Sequence, residues 1–191
     1  MVSRAFHPIA RAVTRLGLGP SAVTLLGVLV SLAGALLLGL GQLTAGGAVL
    51  GLGASLDVVD GLIARLTGTE TVRGAILDSF TDRVSEVAMW TGLAFHLANQ
   101  KESMLVMASL VAVSGSLLIP YLRAKAEGEG LEGKGGLMGR AERLLVFCWG
   151  VSIAGMDLVP YLLEITVWSL AGLTWFTVVQ RVRLTWLQLD A

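Results

Sequence analysis

Charge is scarce in this chain: Asp, Glu, Lys and Arg make up 15% of its 191 residues, against 54% hydrophobic residues and a mean hydropathy of +0.76. That balance excludes an ordinary soluble domain and leaves length for several membrane spans. The 14 basic and 14 acidic residues cancel, so net charge draws no particular partner, and no nucleic-acid partner is expected. Cysteine occurs once, at Cys148 in an apolar run, which rules out an intrachain disulfide and leaves a small lipid- or core-facing side chain. Histidine occurs twice, at His7 and His96, far apart in the chain, so no His or Cys cluster argues for zinc or copper. A Walker-type phosphate loop is also missing.

No charge falls between Arg15 and Asp57, a stretch of 41 residues. It is long enough for two spans of about 20 residues each, broken by the turn signals Gly39, Gly41, Gln42, Thr44, Gly46 and Gly47. The first predicted span is Ser21 to Leu40, opened by Pro20, and the second Ala45 to Leu66. A third, Val72 to Ala98, follows the polar loop from Thr67 to Thr71. The remaining spans are Ser103 to Tyr121, Glu142 to Met156 and Val159 to Val182, with a charged, glycine-rich loop between Arg123 and Arg140.

Residues 1–19 lack the short apolar core of a cleavable signal, because Arg4, Arg11 and Arg15 are spread among Phe6, Ile9, Ala10, Val13 and Leu16 at helical spacing. They read as an amphipathic helix on the membrane surface. The expectation is therefore an all-α integral membrane protein: a juxtamembrane helix over 1–19 and a six-helix transmembrane unit over 20–191. Twelve basic residues, including Arg65, Arg73, Arg123, Arg140, Arg143 and Arg181, fall at one face of that layout, and Lys101 alone at the other. Positive loops stay in the cytoplasm, so both termini and the 66–72 and 123–141 loops are expected there. Five spans would put the basic C-terminus outside.

The few acids that do occur are concentrated where they are least comfortable. Asp57 and Asp60 lie on the second span, Asp78 and Asp82 on the third. A carboxylate in the bilayer costs several kcal/mol unless it meets a cavity, partner or metal, so such residues mark a site. Asp57, Asp60, Gly61, Ala64 and Arg65 follow three- and four-residue steps along one helix face, and Gly74, Asp78 and Asp82 share another. In an antiparallel hairpin, Asp60 and Asp78 lie about 6 to 8 Å below the turn, and Asp57 and Asp82 about 12 Å below it. Four carboxylates that close cannot all stay ionised without countercharge. Hard divalent cations, Mg²⁺, Mn²⁺ or Ca²⁺, supply it. Small residues beside the acids leave room for a ligand, and Arg65 at the mouth complements phosphate. Glu86, four beyond Asp82, stands outside this set and reads as a group that hydrogen-bonds a metal-holding residue or a neighbouring helix, in preference to metal itself.

The eight positions Asp57, Asp60, Gly61, Ala64, Arg65, Gly74, Asp78 and Asp82 spell D-x2-D-G-x2-A-R-x8-G-x3-D-x3-D. This resembles the signature of the CDP-alcohol phosphotransferase family at every spacing, and the six-span layout with a surface helix extends the resemblance over nearly the whole chain. The resemblance implies two divalent ions, Mg²⁺ or Mn²⁺, that bind the pyrophosphate of a CDP-linked lipid, transfer of the phosphoalcohol to an acceptor hydroxyl, and release of CMP. By the same resemblance Asp57, Asp60 and Asp78 hold metal, Asp82 completes the metal site and acts as general base, and Gly61, Ala64, Arg65 and Gly74 contact the cytidine diphosphate. A homodimer is implied too.

Tyr121 to Leu145 is similar to the branch of the family that makes phosphatidylinositol phosphate and archaetidylinositol phosphate. Arg143 and Arg181 match basic positions associated there with the acceptor phosphate, and Arg123 stands where that branch often has lysine. Pro120 departs from its usual serine. These three arginines are also well placed to be interfacial anchors. Inositol phosphate is thus the expected acceptor, with glycerol 3-phosphate the alternative. A cation-binding or transport protein is the rival of another class, and it leaves Gly61, Ala64 and Gly74 without a purpose.

Overall fold

The computed structural model describes residues 20–67 and 71–189, the side chains of 20, 21 and 57–67 being outside the described set. The surface helix expected over 1–19 therefore lies outside the described residues. Among the described residues six α-helices follow one another: α1 (Pro20–Gly39), α2 (Leu43–Thr67), α3 (Val72–Asn99), α4 (Ser103–Gly128), α5 (Arg140–Ala154) and α6 (Leu162–Leu189). Among the described residues there is no strand. Three helices are long and apolar enough to cross a membrane, over Ala22–Gly39, Ser103–Gly128 and Leu162–Leu189, and α2 adds the apolar stretch Leu43–Leu56.

Most boundaries fall within two residues of the pattern of apolar runs and breakers, and three do not. The fourth helix continues past Tyr121 to Gly128, so Arg123, Lys125 and Glu127 are helical and the loop before α5 is correspondingly shorter. Side chains four apart sustain the extension: Arg123 Nε donates to Glu127 Oε1 at 2.8 Å, and Lys125 pairs with Glu129. The last helix starts three residues late, after a turn in which Asp157 and Tyr161 adopt positive φ, and runs seven residues beyond Val182.

Packing closes the helices into a ring. α1 packs on α2 and α3, α3 on α4, α4 on α6, α6 on α5, and α5 back on α2. Close approach depends on absent side chains: a Cβ on Gly47 of α2 would stand 2.8 Å from the Cys148 carbonyl oxygen of α5, and one on Gly34 would stand 2.8 Å from Leu50 Cγ. In that ring α3 and α5 stand opposite each other, and the core fills the space between them with Leu93, Phe147, Val151 and Val167, all below 1% exposed. Cys148 joins this core as a free thiol. Trp90 and Phe147 meet edge to face across it, centroids 4.9 Å apart at 73°. Outside the ring, Leu25, Leu29, Leu36, Phe95, Met104, Trp149, Trp168 and Trp186 are exposed, as a lipid-facing surface requires.

The two ends of the bundle differ. At one end, the turn at Gly41 lies beside His96, and Thr44 Oγ1 donates to the Ser152 carbonyl at 3.0 Å. At the other, the segment 129–139 is stitched to α6: Gln188 accepts from Glu132 N and donates to Glu132 O, Gln180 accepts from Leu137 N at 2.8 Å, and Thr177 Oγ1 accepts from Met138 N at 3.2 Å. Gly130, Gly135 and Gly136 take positive φ there. A Cβ on Gly136 would stand 2.7 Å from Thr177 Cγ2, so this strap lies flat only because it is glycine-rich.

Candidate active site

The charged end of α3 begins with a cap. Thr71 is extended, and its Oγ1 accepts from Gly74 N at 3.0 Å, which starts the helix cleanly two residues before that glycine. Unbroken helix from there puts Gly74, Asp78, Asp82 and Glu86 in one row. Burial deepens along it: Gly74 and Asp78 are half-buried, the Asp82 side chain is 13% exposed, and Glu86 only 2%. Asp57, Asp60, Gly61, Ala64 and Arg65 lie on the last three turns of α2, whose side chains are outside the described set.

Facing this row, α5 supplies a matching row of its own. Arg140 Nη2 stands 2.6 Å from Asp82 Oδ1, Arg143 Nη2 stands 3.1 Å from Glu86 Oε1, and the Trp90–Phe147 contact follows one turn further in. The helices therefore meet as a ladder with three rungs, two ionic and one aromatic. Arg83 bridges the ionic rungs on the α3 side, with Nη2 at 3.5 Å from Asp82 Oδ2 and Nη1 at 3.5 Å from Glu86 Oε2. The polar region ends at the aromatic rung, which seals it from the apolar core below.

Glu86 thus makes the interhelical contact that its place beyond the motif implies. Arg143 is 4% exposed and deeply committed: Nε and Nη2 donate to Glu86 Oε1, at 3.3 and 3.1 Å, and Nη1 to the Met138 carbonyl at 3.4 Å. Arg181 is half-buried and donates through Nη1 to the Ile119 carbonyl, next to Pro120, at 3.0 Å. Arg123 and Arg181 line one crevice beneath the strap together with Lys134 and Glu132, and Arg181 lies within electrostatic reach of Arg123 and Arg143. The three arginines proposed from sequence converge from α4, α5 and α6. Each already has a partner: Glu127 for Arg123, Glu86 for Arg143 and the Ile119 carbonyl for Arg181.

Arg83, Arg140 and the Met138 carbonyl escape a motif-based reading. Arg83 is visible as the neighbour of Asp82, and Arg140 precedes Arg143 by three, hence on its face. Neither spacing reveals that both guanidiniums turn toward Asp82. Among the described residues no group of three or more His, Cys, Asp or Glu forms a metal cluster, since half of the motif carboxylates stand at 57 and 60.

An acidic helix face lined up against arginines, inside a ring of apolar helices, defines a membrane enzyme acting on phosphate groups. The chain belongs to the CDP-alcohol phosphatidyltransferase family, whose model matches residues 18–179. It is 39% identical over 188 residues to the phosphatidylinositol phosphate synthase of Mycobacterium tuberculosis, covering 96% of this chain and 87% of that protein. To the archaetidylinositol phosphate synthase of Methanothermobacter thermautotrophicus it is 33% identical over 189 residues, covering 99% and 92%. The crystal structure of the M. tuberculosis synthase with CDP-DAG bound superposes with a TM-score of 0.89 at 38% identity, covering 96% of this chain and 94% of that one. Its complex with manganese and citrate gives 0.88, covering 95% and 88%. The resemblance drawn from the motif is therefore correct, and the chain is a phosphotransferase of this family.

Proposed function

We propose that this protein transfers the phosphatidyl-type group of a CDP-linked lipid, CDP-diacylglycerol or CDP-archaeol, to a hydroxyl of inositol phosphate, releasing CMP. The observation that carries the reading is the complete eight-position motif, its α3 half on one capped, progressively buried face against Arg140 and Arg143 of α5. Similarity to synthases of both phosphatidylinositol phosphate and archaetidylinositol phosphate supports the acceptor and leaves either lipid chemistry open.

Two divalent cations, Mg²⁺ or Mn²⁺, suit the donor chemistry, because Asp78 and Asp82 offer carboxylate oxygen one turn apart and no imidazole or thiolate stands in their row. When bound, such ions supply electrostatic stabilisation of the attacking and leaving oxygens. Asp57, Asp60 and Asp78 are the proposed holders, with Asp82 completing the set. Gly61, Ala64, Arg65 and Gly74 would contact the cytidine diphosphate. Asp82 lies between Arg83 and Arg140, which fix its carboxylate in the row, and it is the group proposed to take the proton of the acceptor hydroxyl. Arg123, Arg143 and Arg181 bind the acceptor phosphate. Arg143 keeps one uncommitted N–H on each terminal nitrogen, since three of the five donors of a guanidinium are in use.

All six helices cross the membrane in this reading, with the basic end, both termini and the active site in the cytoplasm, and the enzyme works as a homodimer in the cell membrane. What supports six spans is the ring itself: α5, about 22 Å long at 1.5 Å per residue, packs against two neighbours and α3. What supports the orientation is the cluster of basic residues at the strap end. The test is CMP release by purified protein with Mg²⁺ or Mn²⁺, CDP-diacylglycerol or CDP-archaeol, and either inositol phosphate or glycerol 3-phosphate. Turnover with inositol phosphate is expected; use of glycerol 3-phosphate alone would reverse the acceptor assignment, and no CMP from any pair would end the transferase reading.

A further inference from the structure

The most deeply buried charged side chain among the described residues is Glu86, and it is not one of the eight motif positions. A buried carboxylate is expensive unless it is paired, so its persistence at 2% exposure on a helix face next to the motif calls for a purpose. Its partners supply one. Oε1 receives Arg143 through two donors, and Oε2 stands 3.5 Å from Arg83, which also reaches Asp82. From Arg140 through Asp82, Arg83 and Glu86 to Arg143, charges alternate in sign along one continuous chain spanning α3 and α5.

Two consequences follow for Arg143. Its guanidinium is gripped from α3 by Glu86 and from the strap by the Met138 carbonyl, so the plane of the fork is set before any ligand arrives. A planar fork whose orientation is prepaid binds a tetrahedral anion without first having to be ordered. Further, Glu86 offsets the charge of Arg143, which would otherwise repel Arg181 at full strength.

We propose that Glu86 is a positioning residue of the acceptor site: it orients Arg143 toward the acceptor phosphate and ties that arginine, through Arg83, to Asp82. It touches neither the acceptor nor the nucleotide. This rests on the assignment of Arg143 to the acceptor phosphate.

Steady-state kinetics on the full-length enzyme in detergent or lipid test it. In E86A the KM for the acceptor rises about 10- to 100-fold, the range typical when the group orienting a ligand is removed, while the KM for the CDP-lipid stays within twofold. E86Q, which keeps an oxygen acceptor in place, recovers part of the loss. The acceptor effect vanishes in an R143Q background, because Glu86 then has nothing to orient. A parallel rise of both KM values, or effects of E86A and R143Q that simply add, overturns the proposal and makes Glu86 a structural ion-pair partner. If E86A does not fold, E86Q measured with and without R143Q decides by the same two criteria. The acceptor used is whichever one the wild-type protein turns over, so a change from inositol phosphate to glycerol 3-phosphate would fail the assigned specificity and still leave the Glu86 pattern measurable.

Discussion

Two sets of ion pairs at helical spacing lie in this molecule, and they do unlike things. On α4, Arg123–Glu127 and Lys125–Glu129 are four apart on one helix, with every partner about half exposed or more. Between α3 and α5, Asp82–Arg140 and Glu86–Arg143 join residues 58 and 57 positions apart, the second of them almost wholly buried. Exposed pairs gain little, since water already solvates both charges. Their contribution is local, extending α4 by two turns. The buried pairs cannot be lost one partner at a time without stranding a charge, so they fix how two helices meet. The difference teaches that depth, more than spacing, decides whether a charged pair locks two helices together or leaves its members, Arg123 among them, able to turn to a ligand.

The sharpest way to break the comparison is at its deepest reactive member. Asp82→Asn is expected to lower turnover by about 10²-fold or more, as loss of a general base does, while CDP-lipid still raises the melting temperature. Equal loss of lipid binding would make Asp82 chiefly a metal ligand. Next comes Arg143→Ala, expected to destabilise the protein by about 3 kcal/mol because Glu86 is left buried without its two-donor partner and with only Arg83, 3.5 Å away, beside it, and to raise the acceptor KM. An unchanged melting temperature would remove the buried pair from the account of stability.

Arg181→Gln should act on binding with less effect on folding, raising the acceptor KM about tenfold, the scale of one charge-assisted contact. Its bond to the Ile119 carbonyl can be replaced by the glutamine amide. A CDP-lipid KM that moves instead would relocate Arg181 to the nucleotide site. At the far end of the scale, Lys125→Gln should leave activity and melting temperature unchanged. Lys125 holds the Glu129 carboxyl below its ordinary range by hydrogen bonding and charge, yet both groups stand in water. A clear loss of activity there would mean that the Lys125–Glu129 pair belongs to the site after all.

Much of this was legible in the sequence because it depends on periodicity. Gly74, Asp78, Asp82 and Glu86 share a face for no reason beyond 3.6 residues per turn, and charge-free runs announce α1, α4 and α6. The end of α4 lies beyond the sequence pattern because a run of charges reads as loop, and only the four-residue offsets of Arg123 and Lys125 to their partners sustain helix there. The ladder between α3 and α5 was beyond reach. Which of many arginines turns toward Asp82 is fixed by ring closure, a tertiary event with no local signature. The same holds for the strap, where Gln180 and Gln188 look like ordinary polar residues of a helix end until their backbone partners across the loop are seen.

Ring closure also has a consequence for biogenesis. In chain order α2 is second, yet one of its two flanks is covered by α5, which ends 87 residues after α2 does. At about 5–20 residues per second of synthesis, the interval is of the order of ten seconds. Throughout it, the helix carrying Asp57 and Asp60 waits with an unfilled side inside the membrane or the insertion machinery. A nascent chain halted before Arg140 holds α1 to α4 but neither Arg140 nor Arg143, so Asp82 and Glu86 share the single charge of Arg83. The last two helices therefore act as the clasp of the fold, and truncations that spare the whole acidic motif should still be cleared by membrane proteases as unfinished protein.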